Sequence, residues 1–287
     1  MKHIIKKVAR AVTATTFIMT GTVAQAADCK AVYGEGETTF RLATGSPGEL
    51  GLLKALADEF NTQHDSSMCW IKAGSGKSLK LLKAGKVDMV MVHAPGPEKE
   101  AIQAGWADQR TLIGSNEFYL AGPASDPANV NKTKTIAEAY SRIAQQKANF
   151  FSRGDNSGTH KKEMRIWGQA GIKPAGDWYL ETKDFMRATL RQANNKPGYF
   201  MTDSSTWVAE QSELSNLKIL FKGDPLLINT YHALRSVDLS RKETRLSEAF
   251  IDFVASDKGQ QIITEFGQSQ FGSAMYNNAQ YAQKFVH

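Results

Sequence analysis

The sequence predicts an α/β protein with a mostly parallel sheet, and three observations carry that prediction. Strand–turn–helix patterns follow one another from Thr38 onward. Residues 87–92 (Val-Asp-Met-Val-Met-Val) form a mostly apolar strand of the kind buried between helices on both faces of a sheet. The turns near 44–46, 74–76 and 153–159 are rich in glycine and hydroxyl side chains. In open α/β sheets, ligands sit outside the carboxyl ends of strands, where these turns fall.

The elements follow in order. Residues 38–43 read as a strand and 44–48 as a turn. Leu50, Leu53, Leu56, Ala57 and Phe60 then recur at helical spacing. Residues 68–72 are a short strand, 73–76 a turn and 77–84 a helix. A strand at 118–123 ends in Gly122-Pro123, and 136–147 is helical. The strand ending at Phe150-Phe151-Ser152 leads through 153–158 into a helix over 159–170. Strands at 178–181, 198–202, 217–221 and 228–233 alternate with a helix over 185–194, and helices over 247–255 and 258–266 close the chain.

The first 26 residues predict a secretory signal: a basic start, a short apolar stretch and Ala24-Gln25-Ala26 as a cleavage site. The apolar run over 11–24 is too short and too rich in threonine to span a membrane, and no later run is long enough. The chain is therefore expected to be exported and not membrane-embedded. Removing Lys2, Lys6, Lys7 and Arg10 lowers the formal charge from +6 to +2. Much of the basicity is thus targeting signal, which argues against a nucleic-acid partner. Two cysteines in an exported chain, Cys29 and Cys69, are expected to form one disulfide. The remaining length, about 260 residues, suits two lobes.

Residues 153–159 (Arg-Gly-Asp-Asn-Ser-Gly-Thr) carry the functional signal. A strand precedes them and a helix follows, so an arginine, two hydroxyls and a glycine fall where backbone N–H groups lack partners. That set suits a small dianion: Arg153 supplies charge and a fork of donors, Ser157 and Thr159 supply short donors, and Gly158 allows close approach. Ser157 or Thr159 could equally cap a helix starting at His160, and the two roles are compatible. Asp155 either holds Arg153 in place or faces the ligand and accepts a proton from it. Asp155, Ser157 and His160 do not make a catalytic triad by proximity alone, and no Gly-x-Ser-x-Gly turn is present. His93 could line a cleft. The histidines show no His-x-x-x-His spacing and there is no Cys-x-x-Cys, so no metal or cofactor is expected.

The stretch from Ser152 to Glu163, with Ile166-Trp167 after it, resembles the signature of periplasmic tungstate-binding proteins of ABC importers. The resemblance extends to Gly74-Ser75-Gly76-Lys77, Val92-His93, Trp178-Tyr179-Leu180-Glu181, Ala188-Thr189-Leu190-Arg191, Thr202-Asp203 and Gly223-Asp224-Pro225. Collinear matches run from about residue 40 to 232, and the Arg-x-Asp-x-Ser-Gly-Thr core is also similar to periplasmic phosphate-binding proteins.

The resemblance implies a two-lobed type II periplasmic-binding fold that closes on one tetrahedral oxyanion, each lobe a mostly parallel sheet flanked by helices. Lobe I would comprise residues 27–117 and 230–287, and lobe II residues 118–229. It implies ligand contacts from Thr44, Ser46, Ser75, Arg153, Ser157, Gly158, Thr159 and Thr189. It further implies a monomeric periplasmic binding protein, not an enzyme, that delivers its anion to the membrane permease of an ABC importer. There are departures from the family pattern. Ala43-Thr44-Gly45-Ser46 stands where a Thr-Thr-Thr-Ser run is usual, Arg187 stands where glycine is usual, and Ser204 where arginine is usual. Arg187 is thus expected either as a relocated cleft cation or as a solvated helix arginine. The ligand is expected to be tungstate- or molybdate-like. Phosphate, a small carboxylate or a phosphonate, a sensing role beside a membrane receptor, and an exported hydrolase are the competing readings.

Overall fold

A computed structural model describes residues 29–286. The signal over residues 1–26 lies outside the described residues. Among the described residues, no helix is long and apolar enough to cross a membrane.

The first half alternates as its pattern dictates. β1 (Ala31–Tyr33) and β2 (Thr38–Thr44) are followed by a short α1 (Ser46–Glu49) and by α2 (Leu52–Asn61). β3 (Ser66–Lys72), α3 (Ser75–Lys83), β4 (Met89–Val92) and α4 (Pro95–Gln103) continue it. α2 turns Leu52, Leu53, Leu56, Ala57 and Phe60 inward, the stripe its spacing predicts. α3 starts two residues earlier than its apolar pattern, so Ser75 and Gly76 occupy the first helical turn rather than the loop before it.

β5 (Asp108–Pro123) is a 16-residue strand, far longer than the 118–123 segment expected from sequence. Its first half reads as Asp-Gln-Arg-Thr-Leu-Ile-Gly-Ser, which lacks a continuous apolar run. Tertiary pairing along β10 extends it. Next come α5 (Ile136–Gln145), β6 (Phe150–Ser152), α6 (Gly158–Gln169), β7 (Tyr179–Glu181), α7 (Met186–Asn195) and β8 (Tyr199–Asp203). α8 (Ser204–Glu210), which has no apolar periodicity to announce it, starts directly from β8 because Asp203 caps it, accepting the Thr206 amide at 2.8 Å. β9 (Leu217–Phe221), β10 (Ile228–Arg235), α9 (Lys242–Ala255) and α10 (Asp257–Glu265) complete the main elements.

The strands form one sheet in the order β1-β3-β2-β4-β10-β5-β8-β6-β7, with β9 beside β5. β2 is parallel to β3 and β4, and β6 is parallel to β7 and β8. Between these two parallel groups, β10 and β5 run antiparallel to each other and to their outer neighbours β4 and β8. Two apolar clusters, led by Phe40, Leu53, Phe60 and Phe250 and by Val90, Val92 and Leu234, surround the first parallel group. A separate cluster led by Phe118, Tyr140, Phe150 and Trp167 surrounds the second. This is the two-lobed α/β architecture expected from sequence. β5 passes from one core to the other with β10 paired along its first part, and the carboxyl ends of β2, β3, β6 and β8 face one seam.

Candidate functional site

Arg153 stands at the centre of that seam, at the carboxyl end of β6, and is only 4% exposed. Its Nε donates to the Asp184 carbonyl at 3.2 Å and its Nη2 to Asp155 Oδ2 at 2.5 Å. The guanidinium carbon lies 5.3 Å from the centre of the Phe185 ring. Asp155 Oδ1 accepts the Ser157 amide at 3.1 Å. Burial alone would raise the Asp155 pKa, but the Arg153 charge and the Ser157 donors outweigh it and hold the carboxyl below its ordinary range. Asp155 is therefore a strut for the guanidinium and the turn.

α6 begins beside this pair. Ser157 is its N-cap, with Oγ accepting the His160 amide at 3.3 Å. The cap and the anion motif coincide, as the sequence allowed. Thr159 Oγ1 is buried and has no hydrogen-bond partner. A buried hydroxyl normally finds one, so this oxygen keeps its hydrogen-bonding capacity unused within the protein. His160 turns its Nδ1 to the Asn156 amide at 3.0 Å, and Ser157 Oγ meets the His160 backbone instead of its ring. The three side chains do not form a nucleophile and its base.

The facing lobe brings three more sequence-expected residues to the seam. Ser75 Oγ accepts the His93 amide at 3.2 Å, which leaves its own proton to donate. Ser46 Oγ reaches across to Asp203 Oδ2 at 3.5 Å. Thr44 gives its proton to the Met91 carbonyl at 2.8 Å, so it braces β2 against β4 and has no donor to spare. The two sides are in contact. A β-carbon at Gly74 would lie 3.0 Å from Ser157 Cβ and 3.8 Å from Arg153 Nη2. One at Gly158 would lie 2.5 Å from His93 Cε1. Gly158 is thus required for close packing of the two halves.

Two expected residues act elsewhere. Thr189 shares a hydrogen bond with Thr182 Oγ1 at 2.9 Å and touches the Asp184 carbonyl at 3.5 Å, so it shapes the turn that receives Arg153 Nε. Arg187 is not drawn towards Arg153. Its Nε donates to the buried Glu210 at 2.6 Å, and Arg191 binds the other oxygen of the same carboxylate at 2.6 Å. Glu210 holds Arg187 and Arg191 together, so Arg187 is engaged in a helix–helix ion pair between α7 and α8.

Sequence patterns did not single out a polar chain that links both lobes through the crossing strands. Asp203 Oδ1 accepts the Thr206 amide and, at 3.4 Å, Asn116 Nδ2. Asn116 Oδ1 then accepts Asn229 Nδ2 at 2.7 Å, and Asn229 Oδ1 lies 2.9 Å from His93 Nδ1. A carboxylate oxygen that already takes the Thr206 amide orients each amide in turn, so His93 carries its proton on Nδ1. Burial, partly offset by the Asn229 bond, lowers the His93 pKa to about 4, so the ring is neutral at physiological pH. Burial raises the Asp203 carboxyl, against the Thr206 donors and the Arg153 charge. No local motif marks Asn116 or Asn229, because their partners lie 87 to 136 residues away. A second cation, Lys72, sits 4.2 Å over the Phe185 ring and pairs with Glu49 at 2.9 Å.

A buried guanidinium, a hydroxyl without a protein partner and capped helix starts meet between two α/β lobes, the donors and charge that an oxyanion-binding protein of the periplasmic-binding type uses. The chain belongs to the PBP superfamily, whose domain model matches residues 31–258. It is 33% identical over 238 residues to the tungstate-binding protein TupA of Peptoclostridium acidaminophilum, covering 81% of this chain and 82% of that one. Among solved structures, it is similar to the tungstate ABC transporter protein of Geobacter sulfurreducens, with a TM-score of 0.73, 34% identity, and coverage of 81% and 100% of the two chains. It is also similar to the tungstate-binding protein TupA of Desulfovibrio alaskensis G20, with a TM-score of 0.69, 36% identity, and coverage of 84% and 98%.

Proposed function

We propose that this protein is the exported solute-binding component of an ABC importer and that it captures one tetrahedral oxyanion, tungstate or molybdate, in the interlobe cleft. The observation that carries the reading is the buried Arg153 guanidinium beside the unpartnered Thr159 hydroxyl. Relatives at about one-third identity bear the name tungstate-binding protein, which supplies the ligand class. Arg153, Ser157, Gly158 and Thr159 from one lobe and Ser75 and Ser46 from the other are the ligand-contacting set in this reading. Thr44, Thr189 and Asp155 position them, and Arg187 is left out.

The separate apolar clusters support a division into lobe I (27–117 and 230–287) and lobe II (118–229), moving about β5 and β10. The protein acts as a periplasmic monomer, handing its anion to the permease without chemical change. Each charge-assisted hydrogen bond contributes about 1.5–3 kcal/mol, and several converging donors outweigh association costs of several kcal/mol to give micromolar or tighter affinity.

The test is calorimetry and thermal unfolding of the mature protein with tungstate, molybdate, sulfate and phosphate. Tungstate and molybdate should bind one-to-one and stabilise the fold by about 2.7 kcal/mol at a hundredfold excess over Kd. Arg153→Ala should weaken that binding on the order of 100-fold while the protein stays folded. A melting temperature unmoved by all four anions would overturn the reading.

A further inference from the structure

Away from Arg153, the crossing strands wall a cavity of about 460 Å³. Its lining comes from both lobes: Lys162 and Arg165 from α6, Arg110 from β5, and Thr230 and His232 from β10. None of the residues of the interlobe anion set lines it.

The charges in this cavity do not balance. Arg110 is accounted for, because the buried Glu98 accepts its Nε at 3.0 Å and its Nη2 at 2.9 Å. Glu98 also accepts the Ala94 amide at 2.6 Å and lies 3.1 Å from His232 Nδ1, so it has no capacity left for another cation. Lys162 donates to the main-chain carbonyls of Leu226 at 2.9 Å and Ile228 at 3.0 Å, and so has a third N–H to place. Neither Lys162 nor Arg165 has an ion pair among the described residues, and no aspartate or glutamate lines the cavity. Burial, with Arg165 adding to it, presses the Lys162 ammonium down to about 8, as expected for a cation short of countercharge.

The largely buried Lys162 bears the cost of a cation without countercharge, and an anion beside it removes that cost while Arg165, exposed one helical turn along α6, adds a second donor. The cavity is far roomier than one tetrahedral oxyanion needs and falls in the range of small-molecule sites. Pro225, Leu226 and Phe285 give it an apolar wall beside the cationic end. We propose that this hinge-side cavity is a second binding site, which takes a small organic anion with a carboxylate or phosphate head between Lys162 and Arg165 and an apolar body against Pro225, Leu226 and Phe285. Occupancy bridges α6 of one lobe to the crossing strand β10.

The experiment uses the Arg153→Ala protein, so that the interlobe cleft does not contribute. It is titrated calorimetrically at pH 7 with phenyl phosphate and benzoate, and with inorganic phosphate as the head group alone. Saturable binding of phenyl phosphate or benzoate is expected, with inorganic phosphate at least tenfold weaker. Adding Arg165→Ala, an exposed position outside the interlobe site, should weaken that binding about tenfold. In the otherwise native chain the same substitution should leave tungstate affinity unchanged. Lys162→Met should weaken organic-anion binding as well, with circular dichroism reporting whether that variant folds. The proposal is overturned if neither aromatic anion binds, if inorganic phosphate binds equally well, or if Arg165→Ala leaves the affinity as it was.

Discussion

At the scale of single residues, Arg153 shows how a cation is kept charged and aimed inside a nearly closed cleft. Asp155 neutralises one end of the guanidinium, the Asp184 carbonyl takes Nε, and Phe185 supplies a ring at 5.3 Å. Five N–H groups on a planar fork allow these supports while leaving donors for an anion, which a lysine could not do. Gly158 does the complementary work by being small. His93, its proton fixed on Nδ1 by the chain from Asp203, lies against it. A Gly158→Ala methyl would meet the ring at 2.5 Å, too close for the halves to keep their packing. Overpacking of this kind costs about 1–3 kcal/mol, so anion affinity should fall by roughly 5- to 150-fold with little loss of lobe stability. Calorimetry against tungstate, with unfolding in the absence of anion as control, checks this, and an affinity within twofold of native would show that the seam has slack.

At the scale of elements, α6 joins three tasks along one helix. Its first turn presents Ser157, Gly158 and Thr159 to the cleft, its buried face carries Ile166 and Trp167 into the second core, and Lys162 reaches the crossing strand. Glu163 lies on the buried face, accepting from Ser152 Oγ at 2.8 Å, Tyr179 Oη at 2.7 Å and Trp167 Nε1 at 3.2 Å. Burial outweighs those three donors and pushes its pKa up to about 7. An acid whose folded pKa exceeds its unfolded value stabilises the fold fully below the unfolded value. That contribution is lost as pH rises through the folded one. Native stability should therefore decline by on the order of 3 kcal/mol between about pH 4.5 and 7 from this group alone. Glu163→Gln should flatten that part of the curve. Denaturant titrations at pH 5, 6 and 7 decide it, and parallel curves for native and variant would refute the assignment.

At the scale of the whole molecule, two parallel groups of strands are welded by an antiparallel pair, β5 and β10, of which β5 belongs to both cores. The arrangement gives each lobe its own apolar interior while holding both to a shared pair of strands. The Cys29–Cys69 disulfide closes a 40-residue separation and ties the chain before β1 to β3, at the outer edge of the sheet. Closing a loop of that length constrains the unfolded chain, so replacing both cysteines with alanine should cost about 2–5 kcal/mol. For a chain of this size, each kcal/mol lowers the melting temperature by about 2–4 °C. Oxyanion affinity should be unaffected, since the bond lies at the sheet edge away from Arg153. Unfolding scans and calorimetry of the Cys29→Ala/Cys69→Ala protein test both halves of this statement, and an unchanged melting temperature or a large loss of affinity would contradict it.

Local information was enough for the strand–turn–helix rhythm, which rests on neighbours in the chain, and the disulfide followed from there being two cysteines in an exported chain. Apolar spacing sets α2, α5 and α6, and the run from Arg153 to Thr159 places a cation, two hydroxyls and a helix start within seven residues. What depends on distant partners could only come from the tertiary structure. The first half of β5 is a strand because β10 pairs with it. Arg187 is withdrawn from the cleft because Glu210, twenty-three residues on, accepts it. Thr44 and Thr189 look like ligand hydroxyls in the chain, yet their protons or oxygens are taken up by Met91 and Thr182. A side chain's type declares what it can donate, and only folding decides which partner receives it.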